Sequence, residues 1–130
     1  MTVHFILYVS DQSRSARFYR EVLGTAPSLD VPGMTEFMLG DGAVLGLMPE
    51  AGIKRLLGAV LPDPARAQGV PRAELYLVSE RAEEFFRRAI AVGGKELSPM
   101  VMRDWGHVVG YCLDPDGHVI AFAQSGDVAR

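Results

Sequence analysis

The segment Asp41-Gly42-Ala43-Val44-Leu45-Gly46-Leu47 recurs 75 positions later as Asp116-Gly117-His118-Val119-Ile120-Ala121-Phe122, a turn followed by an apolar strand in both places. Such a repeat constrains the fold more than composition does, because each copy must build the same supersecondary unit. The flanking sequence extends the match. Val3–Val9 is a β-branched and aromatic run ending in Ser10-Asp11, and Glu74–Val78 is a similar run ending in Ser79-Glu80.

Each opening strand is followed by a helical pattern. In the first, Ser13 or Ser15 can cap a helix carrying Ala16, Tyr19, Val22 and Leu23, with Gly24 placed to end it. In the second, Ala82, Phe85, Phe86, Ala89 and Ile90 form a cleaner apolar stripe that closes on Gly93-Gly94. Three extended segments then follow in each half. The first set is Ser28–Val31, Thr35–Leu39 and Ala43–Met48, with a hairpin signal at Asp41-Gly42. The second is Leu97–Arg103, His107–Leu113 and His118–Gln124. The reading is a single α+β domain of two tandem βαβββ modules, about 1–48 and 72–125, joined by a linker over 49–71. In that linker Ile53, Leu56, Leu57, Val60 and Leu61 predict a short helix, which either buries this face or serves as a lid or dimer contact.

Composition narrows the partners. A formal charge of −3 lacks the positive excess that phosphate backbones demand, so nucleic acid is not an expected partner. No apolar run reaches the roughly 20 residues that span a bilayer, so no membrane partner and a cytoplasmic location are expected. The lone Cys112 excludes an internal disulfide and reads as a buried thiol.

With Phe18-Tyr19 and Leu23-Gly24 in the first helix and Asp114-Pro115-Asp116-Gly117-His118 entering the last strand, the tandem repeat resembles the vicinal-oxygen-chelate superfamily of glyoxalases, bleomycin-resistance proteins and extradiol dioxygenases. The resemblance covers essentially the whole chain. It implies a curled mixed sheet around a central cup, helices outside, and a homodimer that completes the cup. It also implies a divalent metal held by residues on the opening and closing strands of each module, chelating two adjacent substrate oxygens. On the opening strands the matching positions are His4 and Glu74. On the closing strands they are Gly46 and Ala121, which offer no oxygen, whereas catalytic zinc sites commonly use three protein ligands and water.

His4 and Glu74 are therefore the candidate catalytic pair and the candidate metal ligands, with a cofactor that is either none or a divalent metal. Without metal, His4 reads as a cup histidine bonded to Glu74, and Glu74 reads as a solvated strand end. Alternation adds Tyr8, Met48, Tyr76 and Ala121 to the cup, and Met38, Gly46 and Tyr111 join them as candidate ligand contacts. Arg103 and Trp105 lie near the expected cup mouth, where an indole can stack a flat ligand, although Trp105 reads equally as a core or hinge residue. His107 and His118 follow turn residues and read as surface positions.

Two function classes stay open. One is a metal-free binder of a hydrophobic or aromatic small molecule, resembling the bleomycin-resistance branch. The other is a lyase or isomerase of the glyoxalase type, with a reduced metal site on His4 and Glu74. The small residues at 46 and 121 favour the first, because they remove charge and add volume.

Overall fold

The computed structural model describes residues 1–126. In chain order its regular elements are β1 (Val3–Val9), α1 (Gln12–Leu23), β2 (Leu29–Val31), β3 (Met34–Gly40), β4 (Ala43–Pro49), α2 (Glu50–Leu57), β5 (Glu74–Val78), α3 (Ala82–Ala91), β6 (Lys95–Met102), β7 (His107–Leu113) and β8 (Val119–Ser125). Two short 3₁₀ turns, Gly58–Val60 and Pro64–Ala67, fill the stretch between α2 and β5. No helix among the described residues is long and apolar enough to cross a membrane.

The strands form two four-stranded mixed sheets of identical topology, β1-β4-β3-β2 and β5-β8-β7-β6, each with one parallel pair and two antiparallel pairs. Pairing puts the repeat in register. His4 lies opposite Val44 and Glu74 opposite Val119, while Ile6 lies opposite Gly46 and Tyr76 opposite Ala121. His4 and Glu74 thus hold equivalent positions in the two copies, as do Gly46 and Ala121.

The chain divides into two compact units: residues 1–20 with 24–68, and residues 21–23 with those from Gly69 onward. In the first unit, Leu7, Val9, Phe37, Leu45 and Leu47 are buried on one face of the sheet. In the second, Leu75, Cys112, Ile120 and Phe122 fill the corresponding face, and α3 lies on it through Ala82, Phe86 and Ala89. Gly110 lets α3 approach closely: a Cβ there would come within 2.8 Å of Met100 Sδ and 3.0 Å of the Phe86 ring.

Three local expectations change. Helix α1 is capped not by Ser13 or Ser15 but by Asp11, whose carboxylate accepts from Arg14 N at 3.0 Å. Phe85 does not enter the core; it is half-buried beneath the guanidinium groups of Arg81 and Arg88. Helix α2 forms as expected but buries only Ile53, leaving Leu56, Leu57 and Val60 exposed, the last at 89%. Lys54 Nζ closes that helix by donating to the carbonyls of Gly58 and Leu61.

Cys112 is fully buried, as expected, and desolvation together with the charge of Asp114 pushes its thiol up to about 12. The folded protein should leave a disulfide-exchange reagent such as Ellman's unreacted at pH 8, with one thiol per chain appearing in urea. Rapid reaction of the native protein would show that this sheet face is open to solvent.

Candidate functional site

In a strand, cross-paired residues share a face, so the register identifies the side of each sheet turned away from its core. On the first sheet this open face carries His4, Ile6, Tyr8, Met34, Glu36, Met38, Val44, Gly46 and Met48. Of these, His4, Ile6, Tyr8 and Met38 are exposed. The carboxylate partner that the structure supplies to His4 is Glu36, with His4 Nδ1 3.3 Å from Glu36 Oε2 and side chains 43% and 20% exposed. The contact runs diagonally over β4, from β1 to β3. Gly46 is roofed: a Cβ there would lie 3.0 Å from Ile6 Cγ1 and 3.3 Å from Met34 Sδ.

The second sheet presents a more elaborate face. Its floor is Val109, Ala121 and Ala123, all fully buried, with the rings of Tyr76 and Tyr111 packed against them. These two tyrosines flank Ala121, Tyr76 on β5 and Tyr111 on β7. The turn joining β6 to β7 supplies the remaining groups. It closes through Arg103 N donating to His107 O at 2.8 Å and Gly106 N to Arg103 O at 3.1 Å, with Gly106 at φ +92, where a side chain would be strained.

Three of these groups form a chain. Trp105 Nε1 donates to Tyr76 Oη at 2.9 Å, and Tyr76 Oη lies 2.7 Å from His107 Nδ1. The Tyr76 and His107 rings stack at 28° with centroids 5.9 Å apart. Trp105 remains 57% exposed, its indole available as a platform.

Arg103 lies with its guanidinium 5.1 Å from the centre of the Tyr111 ring. Its Nη2 donates to Ser98 Oγ at 2.6 Å, to Val109 O at 2.9 Å and to Pro99 O at 3.3 Å, while its buried Nε has no partner among the described residues. Desolvation, reinforced by the charges of Glu74 and Tyr76 and opposed by Arg103, raises the Tyr111 phenol above its ordinary range, so it stays protonated.

The sequence-derived candidates therefore fall in two groups. His4, Tyr8, Met38, Gly46 and Met48 share the first sheet's open face; Glu74, Tyr76, Tyr111 and Ala121 share the second's, with Arg103 and Trp105 at its rim. Two further residues belong with them. Glu36 has no role in the sequence reading, and His107, which reads there as a surface position, is half-buried against Tyr76, although the alternation of Met34-Glu36-Met38 and of His107-Val109-Tyr111 is legible in each strand.

The donors do not match a divalent-metal site of the kind the fold implies. Among the described residues no three His, Cys, Asp or Glu side chains cluster, and the two closing-strand positions are roofed by Ile6 with Met34 and flanked by Tyr76 with Tyr111.

A hollow lies between α1 and the β2–β3 hairpin of the first unit. It encloses about 200 Å³ and is lined by Gln12, Arg17, Arg20, Asp30 and Thr35, among others. Gln12 ties α1 to the β2–β3 hairpin by donating to Val31 O and Thr35 Oγ1, and Thr35 in turn donates to Asp30.

The comparisons with known proteins agree with this architecture. A glyoxalase-related enzyme from Fulvimarina pelagi superposes with a TM-score of 0.79 at 26% identity, covering 96% of this chain and 88% of its own. Protein ATC0852 from Agrobacterium tumefaciens gives a TM-score of 0.72 at 27% identity, covering 96% and 98%. A glyoxalase/bleomycin resistance protein/dioxygenase from Nocardioides, at 22% identity and a TM-score of 0.71, shares the fold over 98% of this chain and 85% of its own. No curated protein matches. The family model for the Glyoxalase/Bleomycin resistance protein/Dioxygenase superfamily matches residues 2–122, and the chain belongs to that superfamily.

Proposed function

We propose that this protein binds a flat, largely apolar small molecule without a metal, on the open face of its second sheet. The observation that carries this reading is the state of Ala121: where a metal-binding relative would present a carboxylate, the chain has a fully buried methyl group packed against Tyr76 and Tyr111. An apolar floor, aromatic walls and an exposed indole suit stacking and dispersion contacts rather than chelation. Glu74 and Arg103 would orient the polar end of the ligand. The exposed row Ile6, Tyr8, Leu29, Val31 and Met38 on the first sheet supports assembly as a homodimer, since apolar patches of this kind mark association surfaces.

A second reading has one observation in its favour. The His4–Glu36 pair places a carboxylate beside an imidazole, the arrangement of a general base, and would suit a lyase or isomerase with His4 as its base.

One assay separates the two. Protein incubated with nickel, zinc or manganese and desalted is expected to carry no stoichiometric metal, and to leave the hemithioacetal of methylglyoxal and glutathione unconverted. Turnover that needs a metal and disappears in His4→Ala would establish the enzyme reading instead.

A further inference from the structure

We infer that Tyr76 and Trp105 hold His107 in a single tautomer, with the proton on Nε2, and that this N–H is the specificity group of the second sheet's open face. The inference rests on the binding reading above and names its ligand class: a flat conjugated molecule carrying a carbonyl-type oxygen.

The reasoning is a count of protons. The indole Nε1 is only a donor, so at 2.9 Å Tyr76 Oη must accept from Trp105. The phenol has one proton of its own, and the remaining neighbour of Oη is His107 Nδ1 at 2.7 Å. If Nδ1 carried the proton and donated, Tyr76 would accept twice and its O–H would find no acceptor among the described residues. If the phenol donates to a bare Nδ1, both contacts are satisfied by one directional chain, from indole to phenol to imidazole.

A neutral imidazole with Nδ1 bare has its hydrogen on Nε2, across the ring from Tyr76. No described residue takes that hydrogen. His107 is half-buried and shares its sheet face with Val109 and Tyr111, so the N–H is a partly desolvated donor beside the proposed ligand platform. Leaving such a donor unpaired is costly, and a ligand oxygen repays that cost where a hydrocarbon of the same shape does not. Tyr76 and Trp105 act through His107 and are positioning residues; His107 is the contact.

Two measurements test this. The first is long-range ¹H–¹⁵N correlation of the imidazole nitrogens in the ligand-free protein at pH 9, where ordinary histidines are neutral. His107 should show the Nε2–H pattern alone, and Tyr76→Phe, which keeps the ring and removes the hydroxyl, should give a mixture of tautomers. An Nδ1–H pattern in the wild type, or no change in Tyr76→Phe, overturns the inference. The second compares two probes of nearly the same shape, 2-acetylnaphthalene and 2-isopropenylnaphthalene. The ketone should bind on the order of tenfold more tightly, with the gap closing in His107→Phe and narrowing in Tyr76→Phe. Equal binding of both in the wild type overturns the role of His107. Binding of neither overturns the ligand reading itself, and the tautomer measurement still decides the relay.

Discussion

Ala121→Glu should destabilise the fold by about 3–5 kcal/mol, a large part of the 5–15 kcal/mol typical of a domain. Ala121 has no exposed surface, and its two strand neighbours across the sheet are Tyr76 and Tyr111. A glutamate would have to displace one of those rings and carry an ionised carboxylate into the space left behind. Overpacking and the unpaired charge act in the same direction. Arg103 would not neutralise the charge cheaply, because its Nη2 already holds the carbonyls of Val109 and Pro99 together with Ser98. Urea denaturation followed by circular dichroism measures the loss. An Ala121→Glu protein as stable as the parent would mean that this face accommodates a carboxylate readily, and that its apolar floor says little about ligand class.

Phe122→Ala should have an effect of similar size, about 3–5 kcal/mol, with a fall in Tm on the order of 10 °C. Phe122 is fully buried on β8, an inner strand of the second sheet, and meets Phe86 of α3 edge-to-face at 6.1 Å. Truncation removes the ring on which the helix rests and leaves a cavity that neighbouring backbone cannot close. Phe85→Ala supplies the contrast. That ring is half-buried under two guanidinium groups, so its loss should cost about 1 kcal/mol, the size of a cation–π contact near the surface. Comparable losses for the two phenylalanines would contradict the assignment of Phe86 and Phe122 as the contact between helix and sheet.

That pair shows how far periodicity carries. The stripe Ala82, Phe85, Phe86, Ala89 and Ile90 was legible as the inward side of a helix, yet a helical stripe has width, and its edge residues can cover the rim rather than the core. Strand positions were more legible still. The recurrence of the 41–47 pattern at 116–122 matches β4 and β8, and the paired registers place Gly46 and Ala121 at equivalent points.

Contacts that jump strands were less accessible. Glu36 reaches His4 only because β4 inserts between β1 and β3, an order that alternation within one strand does not reveal. His107 follows a Trp-Gly turn and so resembles a surface residue, but it begins β7 on the same face as Tyr111 and thereby meets Tyr76. The cap of α1 turned on a smaller detail: Asp11 sits where its carboxylate reaches the backbone N–H three residues on, while Ser15 already lies inside the helix and is buried.

Trp105 is the single tryptophan of the chain and stands at the rim of the proposed binding face, so its fluorescence reports that face. The decisive measurement is a titration of chelator-treated protein with 2-acetylnaphthalene, read as quenching of Trp105 emission and repeated with nickel or zinc added. Saturable quenching at one ligand per chain, with the same Kd in chelator and in metal, is the expected result; quenching that appears only with metal would contradict metal-free binding on this face.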